Sequence, residues 1–104
     1  MVSTDLVHMA KELCEYFISN WDHYRANIFN SNMIKITPKN IKDVMKMKFP
    51  EYVRRREGRS KSIIVPWLTE FMKREFEERG FRVEKKIVKS GNHTKYTILY
   101  VYRQ

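Results

Sequence analysis

Leu6, Met9, Ala10, Leu13, Phe17 and Trp21 recur at steps of three and four, the spacing that lines up side chains on one face of a helix. With Ser3 or Thr4 as cap and Asp5 in the first turn, residues 5–24 are predicted as an amphipathic helix. Asn20 offers an earlier stop, while Tyr24 continues the stripe. Asn27, Asn30, Ser31 and Asn32 mark a loop, and the apolar residues 33–36 suit a short strand. Thr37-Pro38 then opens a second helix, because proline presets φ and lacks an N–H that the first turn would orphan anyway. Ile41, Val44 and Met45 face one way in it and Lys39, Lys42 and Lys46 another, over residues 38–48, and Pro50 closes it. Residues 49–61 read as a basic loop, with room for one helical turn after Pro50. Ile64, Trp67, Leu68, Phe71, Met72 and Phe76 form a broad stripe on a third helix that begins at Ser62 or Pro66 and ends at Arg79-Gly80. Beyond Gly80 the period changes to two. Phe81, Val83 and Ile87, then Tyr96, Ile98, Leu99, Tyr100, Val101 and Tyr102, form two strands joined by the turn Ser90-Gly91-Asn92-His93.

At 104 residues the chain fits one domain over residues 1–104. Apolar residues at 42% can fill a core, and 32% charged residues can cover it, which excludes a disordered tail. No apolar run approaches the ~18 residues that span a bilayer, and the start lacks a signal-peptide pattern, so a cytoplasmic protein without membrane contact is expected. Cys14 stands alone, which leaves no intramolecular disulfide and no cysteine-rich zinc site.

Charge sharpens the picture through its distribution. Residues 1–34 carry two basic against four acidic side chains, a net −2; residues 35–62 carry ten against three, a net +7; residues 63–104 add +4, for +9 in all. A polyanion suits that field, through neutralised phosphates and released counterions. A well-solvated lysine-rich surface is the plainer account of the same charge.

The order of helix, short strand, helix, basic segment, helix and β-hairpin resembles the winged helix-turn-helix superfamily, with small archaeal and viral single-domain proteins as the nearest in size. The residues that carry the resemblance are 36–44, similar to the capped helix before a recognition helix; 62–81, similar to a recognition helix running into a wing; and Lys89-Ser90-Gly91-Asn92-His93 as the wing tip. It implies an α+β fold of three helices with a short strand and a C-terminal β-hairpin wing, residues 33–103 forming the helix-turn-helix and wing. One departure is the joint between the two helices, 49–61, which exceeds the usual ~3 to 4 residues.

The resemblance implies duplex DNA as partner, and the residues suggest how it is held. Arg54, Arg55, Arg56 and Arg59, with Lys61, are expected to contact phosphates, because guanidiniums crowded in one loop repel one another unless an anion is near. On a helical wheel Ser62, Thr69, Lys73 and Pro66 fall roughly 140° to 200° from Ile64, opposite the predicted core, so Ser62, Thr69 and Lys73 are the expected base readers. Lys85, Lys86, Lys89, His93 and Lys95 form a basic wing. The bland counterparts are a solvated loop, a solvated helix face and charges that blunt a sheet edge.

Catalytic chemistry is thinly represented. His8, His23 and His93 lie in separate elements, and Cys14 reads as a packed hydrophobe. No enzyme activity, cofactor, metal or small-molecule substrate is expected. Tyr96, Tyr100 and Tyr102 are assigned to core packing. The sequence thus predicts a sequence-specific duplex DNA-binding protein, a transcriptional regulator. Alternatives are a winged-helix protein-interaction module of a larger nucleic-acid-processing complex and an RNA-binding protein. Val7, Cys14, Tyr16 and Ile18 add apolar surface beside the first helix's stripe, so a homodimer through residues 5–24 is expected, reading half-sites about one turn apart.

Overall fold

An asparagine stops the first helix. In the computed structural model, which describes residues 4–27, 30–64, 66–91 and 94–103, α1 (Thr4–Ser19) ends where the side-chain amide and the backbone N–H of Asn20 donate to the Tyr16 carbonyl at 2.8 and 3.0 Å. Competition of this kind from a short polar side chain is what makes asparagine a helix terminator. The single helix predicted over 5–24 is therefore two, with α2 (Trp21–Tyr24) as a separate turn. Where the sequence predicts a loop, β1 (Arg25–Asn27) pairs antiparallel with β2 (Asn30–Ile36).

Thr37 caps α3 (Pro38–Lys48) reciprocally: its hydroxyl accepts from the Asn40 N–H at 3.2 Å and its own N–H donates to Asn40 Oδ1 at 3.0 Å. Pro50 ends that helix by restricting Phe49, and then serves as the first residue of α4 (Pro50–Gly58). Residues 50–58 are thus a nine-residue helix and not a basic loop. Ser60, at φ 54°, turns the chain out of it, and the Lys61 N–H donates back to the Arg56 carbonyl at 2.9 Å. The next helix, α5 (Pro66–Glu78), starts at the proline, which leaves Ser62 outside it. Gly80, at φ 91°, supplies the left-handed residue after its end.

β3 (Arg82–Ser90) and β4 (Thr94–Tyr102) form the hairpin, and β4 also pairs with β2, giving a four-stranded antiparallel sheet in the order β1-β2-β4-β3. Ile34 lies opposite Val101 and Ile36 opposite Leu99. Strand alternation sends these four side chains, with Val83, into one core together with Leu13, Phe17, Ile41, Met45, Leu68, Met72 and Phe76 from the helices. The chain is accordingly α+β, with five helices among the described residues where the sequence predicts three. No helix among them is long and apolar enough to cross a membrane.

The same alternation corrects the place of the tyrosines. Tyr100 and Tyr102 are out of phase with buried Leu99 and Val101, so they stand on the sheet face turned away from the helices, whereas Tyr96 borders the groove between the hairpin and the helices. Tyr102 donates to Glu84 Oε1 at 2.8 Å beneath the Arg82 guanidinium, 4.0 Å above its ring. That hydroxyl, followed by Arg82, holds the Glu84 carboxyl below its ordinary range.

Candidate nucleic-acid interface

The described residues enclose a groove of about 600 Å³ between the start of α3, the end of α4, the start of α5 and the hairpin. Its buried floor includes Ile41, Ile63 and Thr69, and Lys42, Lys61, Lys85 and Lys95 rim it with Glu57 as the one carboxylate in the described lining. Five residues predicted from separate stretches of sequence meet here: Lys61, Ser62, Thr69, Lys85 and Lys95. Lys85 reaches Glu70 at 3.2 Å, whereas Lys42, Lys61 and Lys95 form no ion pair among the described residues. Sequence reasoning misses Lys42 as a site residue, although its place on the polar face of α3, one turn after Pro38, is a signal that could have found it.

The expected base-reading face of α5 is not where the wheel puts it. Thr69 is buried, 5% exposed, and its hydroxyl donates to the Pro66 carbonyl at 3.0 Å. Lys73 is 30% exposed and pairs with Glu77 at 3.4 Å. Ser62 is exposed but precedes the helix, its hydroxyl donating to the Ile64 carbonyl at 2.9 Å. The stripe from Trp67 to Phe76 covers about half the helix circumference, more than one core can take. Packing selects the Leu68, Met72 and Phe76 side, which rotates the buried face by roughly 60° from the predicted one. Thr69 turns inward as a result, and Trp67, 58% exposed, turns out.

Helical geometry also divides the arginines. Side chains at three consecutive helix positions point about 100° apart, so Arg54, Arg55 and Arg56 fan around α4 and do not form one patch. Arg54 pairs with Glu51 at 2.8 Å, Arg55 borders a smaller cavity beside His8 of α1, and Arg56 donates from Nε to the Ser62 carbonyl at 2.8 Å. Arg59 is exposed beyond the helix end. None of the four lines the groove.

On the hairpin, Lys85, Lys89 and Lys95 share the face that continues the groove side, and Lys86 points to the opposite face with Glu84 and Tyr100. Lys89 lies directly across from Lys95. Like charges in that relation destabilise a strand pair unless an anion lies between them. His93 falls outside the described residues.

The apolar surplus assigned to a second copy is taken up within the chain. Cys14 is fully buried, Tyr16 and Ile18 lie half-buried against the core, and Val7 alone of the four remains exposed, at 39%. The Cys14 thiol donates to the Met72 carbonyl at 3.4 Å, and burial, followed by the nearby Glu75 carboxylate, pushes it far above its ordinary range. That suppresses the thiolate a nucleophile needs. No group of three or more His, Cys, Asp or Glu among the described residues could hold a metal ion. Compared with known proteins, the chain matches no family model, no curated sequence and no solved structure.

Proposed function

We propose that this chain binds duplex DNA through the groove between the start of α5 and the β3–β4 hairpin, in the manner of a winged helix-turn-helix, and that it serves transcription by doing so. The observation that carries the reading is the convergence of Lys42, Lys61 and Lys95, without an ion pair among the described residues, and of Lys85, paired with Glu70, on one concavity whose described lining includes one carboxylate, Glu57. Charges of one sign on a concave surface focus the field and raise the local concentration of a polyanion. The Lys89–Lys95 cross-strand pair extends that field along the hairpin, and the start of α5 adds the positive end of a helix dipole. Arg54, Arg55 and Arg59 lie outside the concavity and contribute long-range attraction to flanking phosphates.

Equilibrium binding to a blunt DNA duplex across a salt series tests this. Binding should weaken linearly with the logarithm of salt concentration, and replacing Lys61 and Lys95 with Gln should flatten the slope by about 0.9 for each phosphate that is no longer neutralised. An unchanged slope in the double variant removes the groove from the interface. A second reading, a protein-interaction module, draws on the half-buried tyrosines of the outer sheet face. Association with a protein that persists at high salt, without duplex binding at low salt, would favour it.

A further inference from the structure

Trp67 is the bulkiest side chain that the fold leaves in solvent, 58% exposed, and the groove lysines do not need it. It belongs to a tiered stack along one stripe of α5. The Trp67 ring lies 6.0 Å from that of Phe71 at an interplanar angle of 30°, and the Arg74 guanidinium sits 6.0 Å from the Phe71 ring on the next turn. Phe71 thus flanks the indole on one side, and more than half of Trp67 is open to solvent. Trp67 does not itself line the lysine-rimmed groove, but Glu70, three residues on and so its neighbour on the helix surface, pairs with the groove lysine Lys85 at 3.2 Å. A flat aromatic face thus stands at the edge of a concentrated positive charge.

Within a continuous duplex the faces of the bases are covered by their neighbours and only their edges reach the grooves. A free indole face complements the face of a base, which requires a nucleotide outside the stack. Glu77 and Glu78 are exposed further along the same helix and would repel phosphates from a duplex lying along its length, so the start of α5 is the part suited to approach DNA. We propose that Trp67 stacks on an unpaired base at a duplex end, so that the preferred ligand is DNA with a single-stranded overhang beside the paired region held by Lys42, Lys61, Lys85 and Lys95. This rests on the reading of the groove as a phosphate site.

Tryptophan emission offers a direct probe, because the other indole, Trp21, is 2% exposed and stacked against Phe81. A blunt DNA duplex and the same duplex with a short overhang, at either polarity, are titrated into the parent chain, Trp67→Ala and Trp67→Phe. The parent should bind the overhang duplex more tightly and lose emission as it does so. Trp67→Ala should weaken overhang binding by about 5- to 150-fold and weaken the blunt duplex, which offers only its terminal pairs as open faces, much less, Trp67→Phe should retain most of the preference, and neither variant should quench. Equal affinity of the parent for both ligands, or a Trp67→Ala weakening shared equally by both, overturns the stacking role while leaving salt-dependent duplex binding in place. A parent that binds neither ligand at low salt overturns the phosphate reading along with it. A mass above that of one chain that collapses in Trp67→Ala, with no overhang preference, assigns the ring to a protein contact and overturns the proposal as well.

Discussion

The Thr69 hydroxyl donates to the Pro66 carbonyl while 5% of the residue meets solvent, so its role is to tighten the first turn of α5. Thr69→Val, which keeps the shape and removes that hydrogen bond, should cost about 1 kcal/mol and lower Tm by roughly 4 to 8 °C. Sequence preference in DNA binding should be unchanged, the reverse of what a base reader would give; thermal melts and duplex competition measure the two effects. Tyr24 makes a second prediction at this scale. Burial first, then a hydrogen bond with Tyr16, pushes its phenol up from 10.0 to about 12, so the fold favours the neutral form. The stability this contributes is whole below the unfolded value near pH 10 and is lost as pH rises toward about 12. Melting temperatures across that window should fall more steeply for the parent than for Tyr24→Phe.

At the scale of elements, α4 separates two tasks that the sequence places together. Arg56 fastens the helix to the segment before α5 through the Ser62 carbonyl, and Arg56→Ala should reduce stability by about 1 kcal/mol in chemical denaturation. Arg54, Arg55 and Arg59 are exposed, and replacing the three with Ala should leave the denaturation midpoint in place while weakening all duplexes alike and flattening the salt slope. The helix itself was hard to foresee, since three arginines and a glycine give it a weak apolar stripe in which Val53 alone is buried. Elements with strong local signals were legible: the Thr37-Pro38 cap and the period-two run of β4 lie where the sequence places them, while the predicted Ser90-Gly91-Asn92-His93 turn falls partly outside the described residues. The face of α5 was not legible, because a stripe half a circumference wide does not say which half meets α1. Of the site, the lysines could be read from charge, and their convergence could not, because it depends on how the hairpin lies against α3 and α5.

For the molecule as a whole, the internal burial of Cys14, Tyr16 and Ile18 leaves α1 little apolar surface for a second copy. Sedimentation equilibrium at micromolar concentration should return a mass near 12.7 kDa, one chain, with no rise on concentration. A dimer mass would restore the expectation of a palindromic site. The strand order carries a consequence for how the molecule comes to be. In β1-β2-β4-β3 one of the two central strands, β4, is the last of the four along the chain, and Ile36 meets Leu99 only across most of the sequence. Closing so long a loop is slow and is compensated only once the pairing is complete. While the chain is being synthesised, β2 therefore waits without its long-range partner, and α1 likewise waits for α5, so early helices can form without a fixed tertiary arrangement. A chain stopped at Gly91 should retain helical far-ultraviolet dichroism yet melt without a cooperative transition, whereas the full chain should show one.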